Sequence, residues 1–232
     1  MMSQLELLSR YGPRMLEGLL VTLELVAFSV ALGALIALPM ALARLSGNPV
    51  LRTLSLGYTF FFRGTPLLAQ VFLVYYGSGE FRSFFESIGL WWFFRDAFYC
   101  CLLTFTLNTG AYQTEILRGA IRQVPRGQTE AGYSLGLSRT LIMLRIVLPQ
   151  AILLGLRPLG NEVILMVKGS AVAAIVTVFD LMGVTRLAFA RSFDITVYFY
   201  AAVLYFVVVE VLRRVWNRVE RRLSRHIRRS TA

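Results

Sequence analysis

Apolar residues in this chain collect into long runs divided by short polar stretches, instead of alternating along a strand or marking one stripe of a surface helix. Five runs approach the ~20 residues that cover ~30 Å of hydrocarbon, which predicts five membrane-spanning helices. They lie at about 16–42, 54–76, 97–119, 153–179 and 195–212. The first is long enough to tilt. Gly47-Asn48-Pro49 breaks the chain between the first two runs, and the fourth carries Pro158, Gly160, Lys168 and Gly169 inside it. The expected architecture is an all-α integral membrane protein with one transmembrane domain over residues 1–232. The polar start at 3–14 and the length of the first run leave no cleavable signal peptide to expect.

Composition agrees with this class. The chain is 56% hydrophobic, against ~45–50% in a soluble domain, and its mean hydropathy is +0.63. The net charge of +11 would suit a nucleic acid, but the charges are not spread as a binding surface. From Arg213 onward eight arginines face one acid, Glu220, and the loop with Arg118, Arg122, Arg126, Arg139 and Arg145 holds one acid, Glu130. The connections at 80–96 and 180–194 are near neutral. This is the positive-inside pattern, so no nucleic-acid role is expected. It places the loops after runs one, three and five in the cytoplasm, with the N-terminus outside and the C-terminus cytoplasmic. The external hairpin 77–96 sets Trp91 and Trp92 at the interface. The tail 213–229, with Val215, Val219, Leu223 and Ile227 among arginines, is expected to lie as a helix on anionic membrane lipid. Cys100 and Cys101 are adjacent in an apolar run, His226 is the one histidine, and no metal-ligand spacing is present.

The loop 124–149 is polar, amphipathic and arginine-bearing. Thr129 is expected to cap a short helix with Glu130 in its first turn, Gly136 to end it, and Ser138 to cap the next. A short helix parallel to the bilayer and then a sharp turn follow from that reading. Its E-A-G-x3-G-x9-I-x-L-P pattern, from Glu130 to Pro149, resembles the signature loop of ABC importer permeases, with Gly132 where alanine is usual. The resemblance implies a type I importer permease whose coupling helix, with Arg126, Gly127, Glu130, Ala131, Gly132 and Gly136, docks on a cytosolic ATP-binding subunit. It also implies a second permease chain, identical or related, and an external solute-binding protein. No G-x-x-x-x-G-K-[ST] loop occurs in the chain, so ATP and Mg would be bound by the partner subunit and no cofactor is expected here.

Three further stretches resemble the polar amino-acid permeases, nearest to the histidine/octopine/nopaline-type branch. They are Arg63-Gly64-Thr65-Pro66-Leu67-Leu68 with Gln70, the Ala111-Tyr112, Glu115, Arg118-Gly119 set, and Asn161-Glu162-Val163-Ile164-Leu165. The implied cargo is a polar, basic amino acid or an opine, carried by alternating access. The rival class is a membrane-embedded enzyme or assembly factor using the loop to dock an unrelated partner. A passive channel would not need the loop.

Ionisable groups inside a span are costly and mark pathways or pairs. Glu162 is the leading candidate for a substrate ammonium, with Asn161 beside it; the alternative is a pair with Lys168 or with an arginine of a partner chain. Lys168 shares a face with Asn161 and would hold a carboxylate or neutralise Glu162. Gln70 would line the same cavity or bond between helices, and Glu24 would face the pathway or a partner chain. Glu115 is spaced to pair with Arg118, and Glu210 with Arg213 and Arg214. Arg63 is expected at the cytoplasmic entry to the second span, where Pro66 would start the helix.

Overall fold

The computed structural model describes residues 4–223, and among these it is helical throughout apart from short connections. Helix α1 (Gln4–Leu45) runs for 42 residues with Pro13 and Pro39 inside it, well beyond the membrane-length run predicted. Asn48 caps α2 (Pro49–Gly64), its side chain accepting from Val50 N at 2.9 Å. After a break at Thr65 the chain resumes as α3 (Leu67–Glu80). The expected external hairpin is itself helical, as α4 (Arg82–Ser87) and α5 (Trp91–Phe94), with Gly89 at φ 71° between them. Phe85 and Phe94 stack at 4.1 Å and Arg82 lies over the Trp91 ring. Asp96 then caps α6 (Ala97–Gln123).

Helix α6 is the axis of the bundle. It packs on α1, α2, α3 and α9, and Cys100, Phe105, Thr109 and Thr114 are all fully or nearly fully buried. The α1–α6 crossing is close because both sides are glycine. A Cβ on Gly33 would lie 3.1 Å from Gly110 N and 2.8 Å from Thr109 Cγ2, the small-residue contact by which membrane helices approach. Beyond α6 come α7 (Arg126–Ser134) and α8 (Arg139–Ile142), then a π-helical turn at Met143–Val147 leading into α9 (Leu148–Gly169). Pro149 sits in the first turn of α9, where its missing N–H is tolerated, directly after the π turn.

The fourth span ends earlier than expected. Its last residues form a 3₁₀ segment, Ser170–Val176, stopped by Thr177 at φ 66°. The near-neutral connection after it is a helix, α10 (Leu181–Ser192), capped by Asp180 and tied to α1 through Leu181 N donating to Thr22 Oγ1 at 3.1 Å. Helix α11 (Thr196–Leu223) runs on without interruption into the basic tail. Over its described part the tail is therefore no separate interfacial helix. Trp216 Nε1 donates to Leu156 O at 2.7 Å and Arg157 pairs with Glu220 at 2.6 Å, fixing α11 to α9, while Val215, Val219 and Leu223 stay exposed. Arg225, His226, Ile227, Arg228 and Arg229 lie outside the described residues.

Among the described residues, three stretches are long and apolar enough to cross a membrane on length and composition: Glu6–Leu45, Arg139–Val176 and Thr196–Leu223. The second predicted span falls short because it is split at Thr65, and α6 because Asn108, Gln113, Glu115 and Arg118 interrupt its apolar run.

Candidate functional site

The break between α2 and α3 is built by Pro66. Without an N–H, it leaves the Phe62 carbonyl, four residues back, without its helical donor. Two side chains take that place: Gln70 Nε2 at 2.9 Å and Asn108 Nδ2 at 3.0 Å. Gln70 also donates to Thr65 Oγ1 at 2.8 Å and accepts from Asn108 at 3.0 Å, and the Thr65 hydroxyl closes onto Phe61 O at 2.8 Å. Gln70 is buried with its amide committed to this knot, which is the helix-to-helix bonding that was one of its two readings. Arg63 lies in the last turn of α2, at the break, with its guanidinium 5.2 Å from the Tyr112 ring centroid; the start expected of Pro66 is that of α3.

A polar seam crosses the bundle just beyond the knot. Gln113 Nε2 donates to Val30 O of α1 and to Thr109 Oγ1, both at 3.2 Å, and the Thr109 hydroxyl donates to Glu162 Oε1 at 3.0 Å. Glu162 is 6% exposed and turned into the bundle. It makes no ion pair with Lys168, which is exposed and without a counter-charge among the described residues. Asn108, Thr109 and Gln113 were not singled out from sequence. Their signal was present as amides and hydroxyls recurring within an apolar run, which mark a helix buried among others.

The exposed side of α9 carries Leu154, Arg157, Asn161, Leu165 and Lys168 at three- and four-residue spacing. Asn161 opens onto a groove of about 300 Å³ between α9 and α11, beside Trp216 and Ile164. Glu24 is exposed on α1, and its neighbour Leu25 packs in one cluster with Met166 and Val167. Glu24 and Lys168 are both exposed, each beside residues of that cluster. Glu115 behaves as expected and more: it meets Arg118 at 2.7 Å and Arg44 of α1 at 3.6 Å. Glu210 is held by Arg213 at 2.8 Å and Arg214 at 2.6 Å.

Helix α7 begins at Arg126 on Pro125, so Thr129 lies inside it and does not cap it. Pro125 sets the entry instead, its φ of −57° matching a helix start. Gly136, at φ 72°, closes α7 with its N–H donating to Tyr133 O at 2.9 Å and that of Leu137 to Gly132 O at 3.1 Å, the paired bonds of a left-handed helix end. Ser138 caps α8 as expected. Gly132 is the buried position of α7, and a Cβ there would come within 2.8 Å of Ile142 Cγ1, so the glycine seats α7 directly on α8. The outward side holds Arg126, Gly127, Glu130 and Ala131, with Tyr133 52% and Leu135 77% exposed. That is a short rigid helix with an uncovered apolar tip.

Residues 29–225 match the family model of the binding-protein-dependent transport system inner membrane component. The nopaline transport system permease protein of Agrobacterium fabrum is 36% identical over 97% of this chain and 93% of its own length. The arginine ABC transporter permease protein of Escherichia coli is 35% identical over 95% and 99%. A crystal structure of an amino acid ABC transporter with histidines aligns with a TM-score of 0.83 at 31% identity, over 96% of this chain and 100% of the other. The methionine ABC transporter in an inward-facing form aligns at 0.79 with 18% identity, covering 97% of this chain and all of the other, a likeness of fold. With a type I ABC importer permease fold, a match over most of its length and relatives above 30% identity along nearly all of it, the chain belongs to the family of inner-membrane components of binding-protein-dependent transport systems, as a transport permease and not an enzyme.

Proposed function

We propose that this chain is one of two permease chains of an ATP-driven importer for a polar, basic amino acid or an opine. It forms a single transmembrane domain that crosses the membrane five times, through α1, the broken α2–α3 pair, α6, α9 and α11. The N-terminus is outside and the C-terminus cytoplasmic. Its partners are cytosolic ATP-binding subunits, which hold ATP and Mg, an external solute-binding protein and the second permease. The cargo class is that of the relatives, named for nopaline, octopine, arginine and histidine/lysine/arginine/ornithine transport.

The observation that carries this reading is Lys168, an unpaired cation on the outward face of a membrane helix, in register with Asn161. A bare ammonium against lipid costs several kcal/mol, so that face borders a watered pathway or a second chain. Lys168 would hold the substrate carboxylate, Asn161 would bond beside it, and Glu24, exposed on α1, would meet a cationic group. Glu162 and Gln70 stand behind this face and hold its helices in place. The coupling helix, with Arg126, Gly127, Glu130, Ala131, Gly132 and Gly136, seats on the ATP-binding subunit and moves with it.

The test is uptake by the complete transporter in proteoliposomes, over a panel of arginine, histidine, octopine and nopaline. Lys168→Gln should raise KM for the transported compound by about tenfold or more, the worth of one charged contact, while ATP hydrolysis without substrate is unchanged. Unaltered KM in an assembled complex would remove Lys168 from the pathway. Transport of none of the four by the wild type would overturn the cargo class.

A further inference from the structure

At the end of the bundle where α6 leaves and α9 enters, a cavity of about 680 Å³ opens between the last turn of α6, the coupling helix and α8. Three arginines rim it, Arg122 from α6, Arg126 from α7 and Arg139 from α8. None of them has a carboxylate within ion-pair distance among the described residues, and no acidic side chain lines the space. Its floor is apolar: Ile121, Ile142 and Val147 belong to one buried cluster that continues to Ala151 of α9. Cationic rim and greasy floor together do not describe a site for a free inorganic ion, which needs no apolar wall, nor for a carboxylate at the tip of a protein loop. They describe a site for an amphiphile with an anionic head.

We propose that this cavity seats an anionic phospholipid, its phosphate among Arg122, Arg126 and Arg139 and its upper acyl chain against Ile121, Ile142 and Val147. Guanidinium groups suit a phosphate because each can present two parallel N–H donors. The consequence is mechanical. A phosphate bridging α6 to α7 and α8 ties the coupling helix to the central helix of the bundle, so that displacement of α7 is passed to α6 instead of being lost in the loop. Anionic lipid is then a component of coupling, and a membrane of zwitterionic lipid alone leaves three like charges facing one another across the cavity.

The test uses the assembled transporter, stripped of lipid in detergent and resupplied with phosphatidylglycerol or phosphatidylethanolamine, with retained lipid counted by native mass spectrometry. The wild type should retain phosphatidylglycerol over phosphatidylethanolamine, and raised ionic strength should release it. The double variant R122Q/R139Q should lose about fivefold in retention for each arginine removed, and R122K/R139K should keep most of it, since the charge remains. Equal retention of the two lipids by the wild type, or full retention of phosphatidylglycerol by R122Q/R139Q, would overturn the proposal. Loss of the co-purifying ATP-binding subunit from R122Q/R139Q with lipid retention unchanged would do so too, and would assign the arginines to an acidic protein surface. The salt and headgroup comparisons are made on the wild type, so a poorly folded double variant does not leave the question open.

Discussion

At the scale of single residues, the chain shows how a glutamine can be structural inside a membrane. Gln70 supplies a donor to the Phe62 carbonyl that Pro66 strands, and an acceptor to Asn108. Substituting Gln70→Leu keeps the volume but leaves the Asn108 amide short of an acceptor and the Thr65 hydroxyl oxygen short of a donor. An unsatisfied buried polar group costs about 1–3 kcal/mol, so the variant should melt several degrees lower in a detergent thermal-shift assay and show a raised susceptibility to proteolysis near Thr65. A Leu variant as stable as the wild type would mean that the break is held by packing alone. Sequence could name Gln70 but not choose its role, because register gives the face of a helix and not what stands opposite. The same limit applied to Glu162. One residue from Asn161, and so about 100° around α9, it turns inward to Thr109 while Asn161 looks out.

At the scale of elements, the coupling helix was legible because its punctuation is chemical: a glycine at a left-handed position and a serine cap leave marks in sequence. Its start was misplaced at Thr129 because a proline can open a helix as well as a capping hydroxyl can. The break at Thr65 was hidden because both its sides are apolar, so hydropathy reads through it. Helix α10 was missed for the opposite reason, being short and mixed, with Thr185, Arg186 and Arg191 along it. Gly136 offers the sharpest test of an element. A side chain at φ 72° costs about 1 kcal/mol relative to glycine, although the space around the position is open. Gly136→Ala should therefore fray the end of α7 and lower substrate-stimulated ATP hydrolysis by the assembled transporter. Gly136→Asn, which tolerates the left-handed region, should recover much of it. An asparagine variant no better than alanine would show that the conformation at Gly136 is not what the helix end requires.

At the scale of the whole molecule, the arrangement ties topology to charge. The α7–α8 segment with Arg126 and Arg139, the α1–α2 corner near Arg44 and the described end of α11 belong to one side if five passes are made, and the aromatic α4–α5 hairpin belongs to the other. Eight arginines follow Glu210 in the sequence, and a cytoplasmic surface rich in anionic lipid favours that end by electrostatics. The two native thiols, Cys100 and Cys101, are fully buried, so an introduced cysteine can be read against a quiet background. Gly47→Cys, at an exposed corner with nothing around it, and Ser87→Cys, exposed on α4, mark the two sides. In intact spheroplasts a membrane-impermeant maleimide should label Ser87→Cys at once and Gly47→Cys only after permeabilisation. The reverse order would invert the orientation. Labelling of both from outside would mean that α2 and α3 do not together cross the membrane. In the broken pair the knot of Gln70, Asn108 and Thr65 replaces a continuous helix, so this measurement bears on the pass whose existence depends most on side-chain hydrogen bonds.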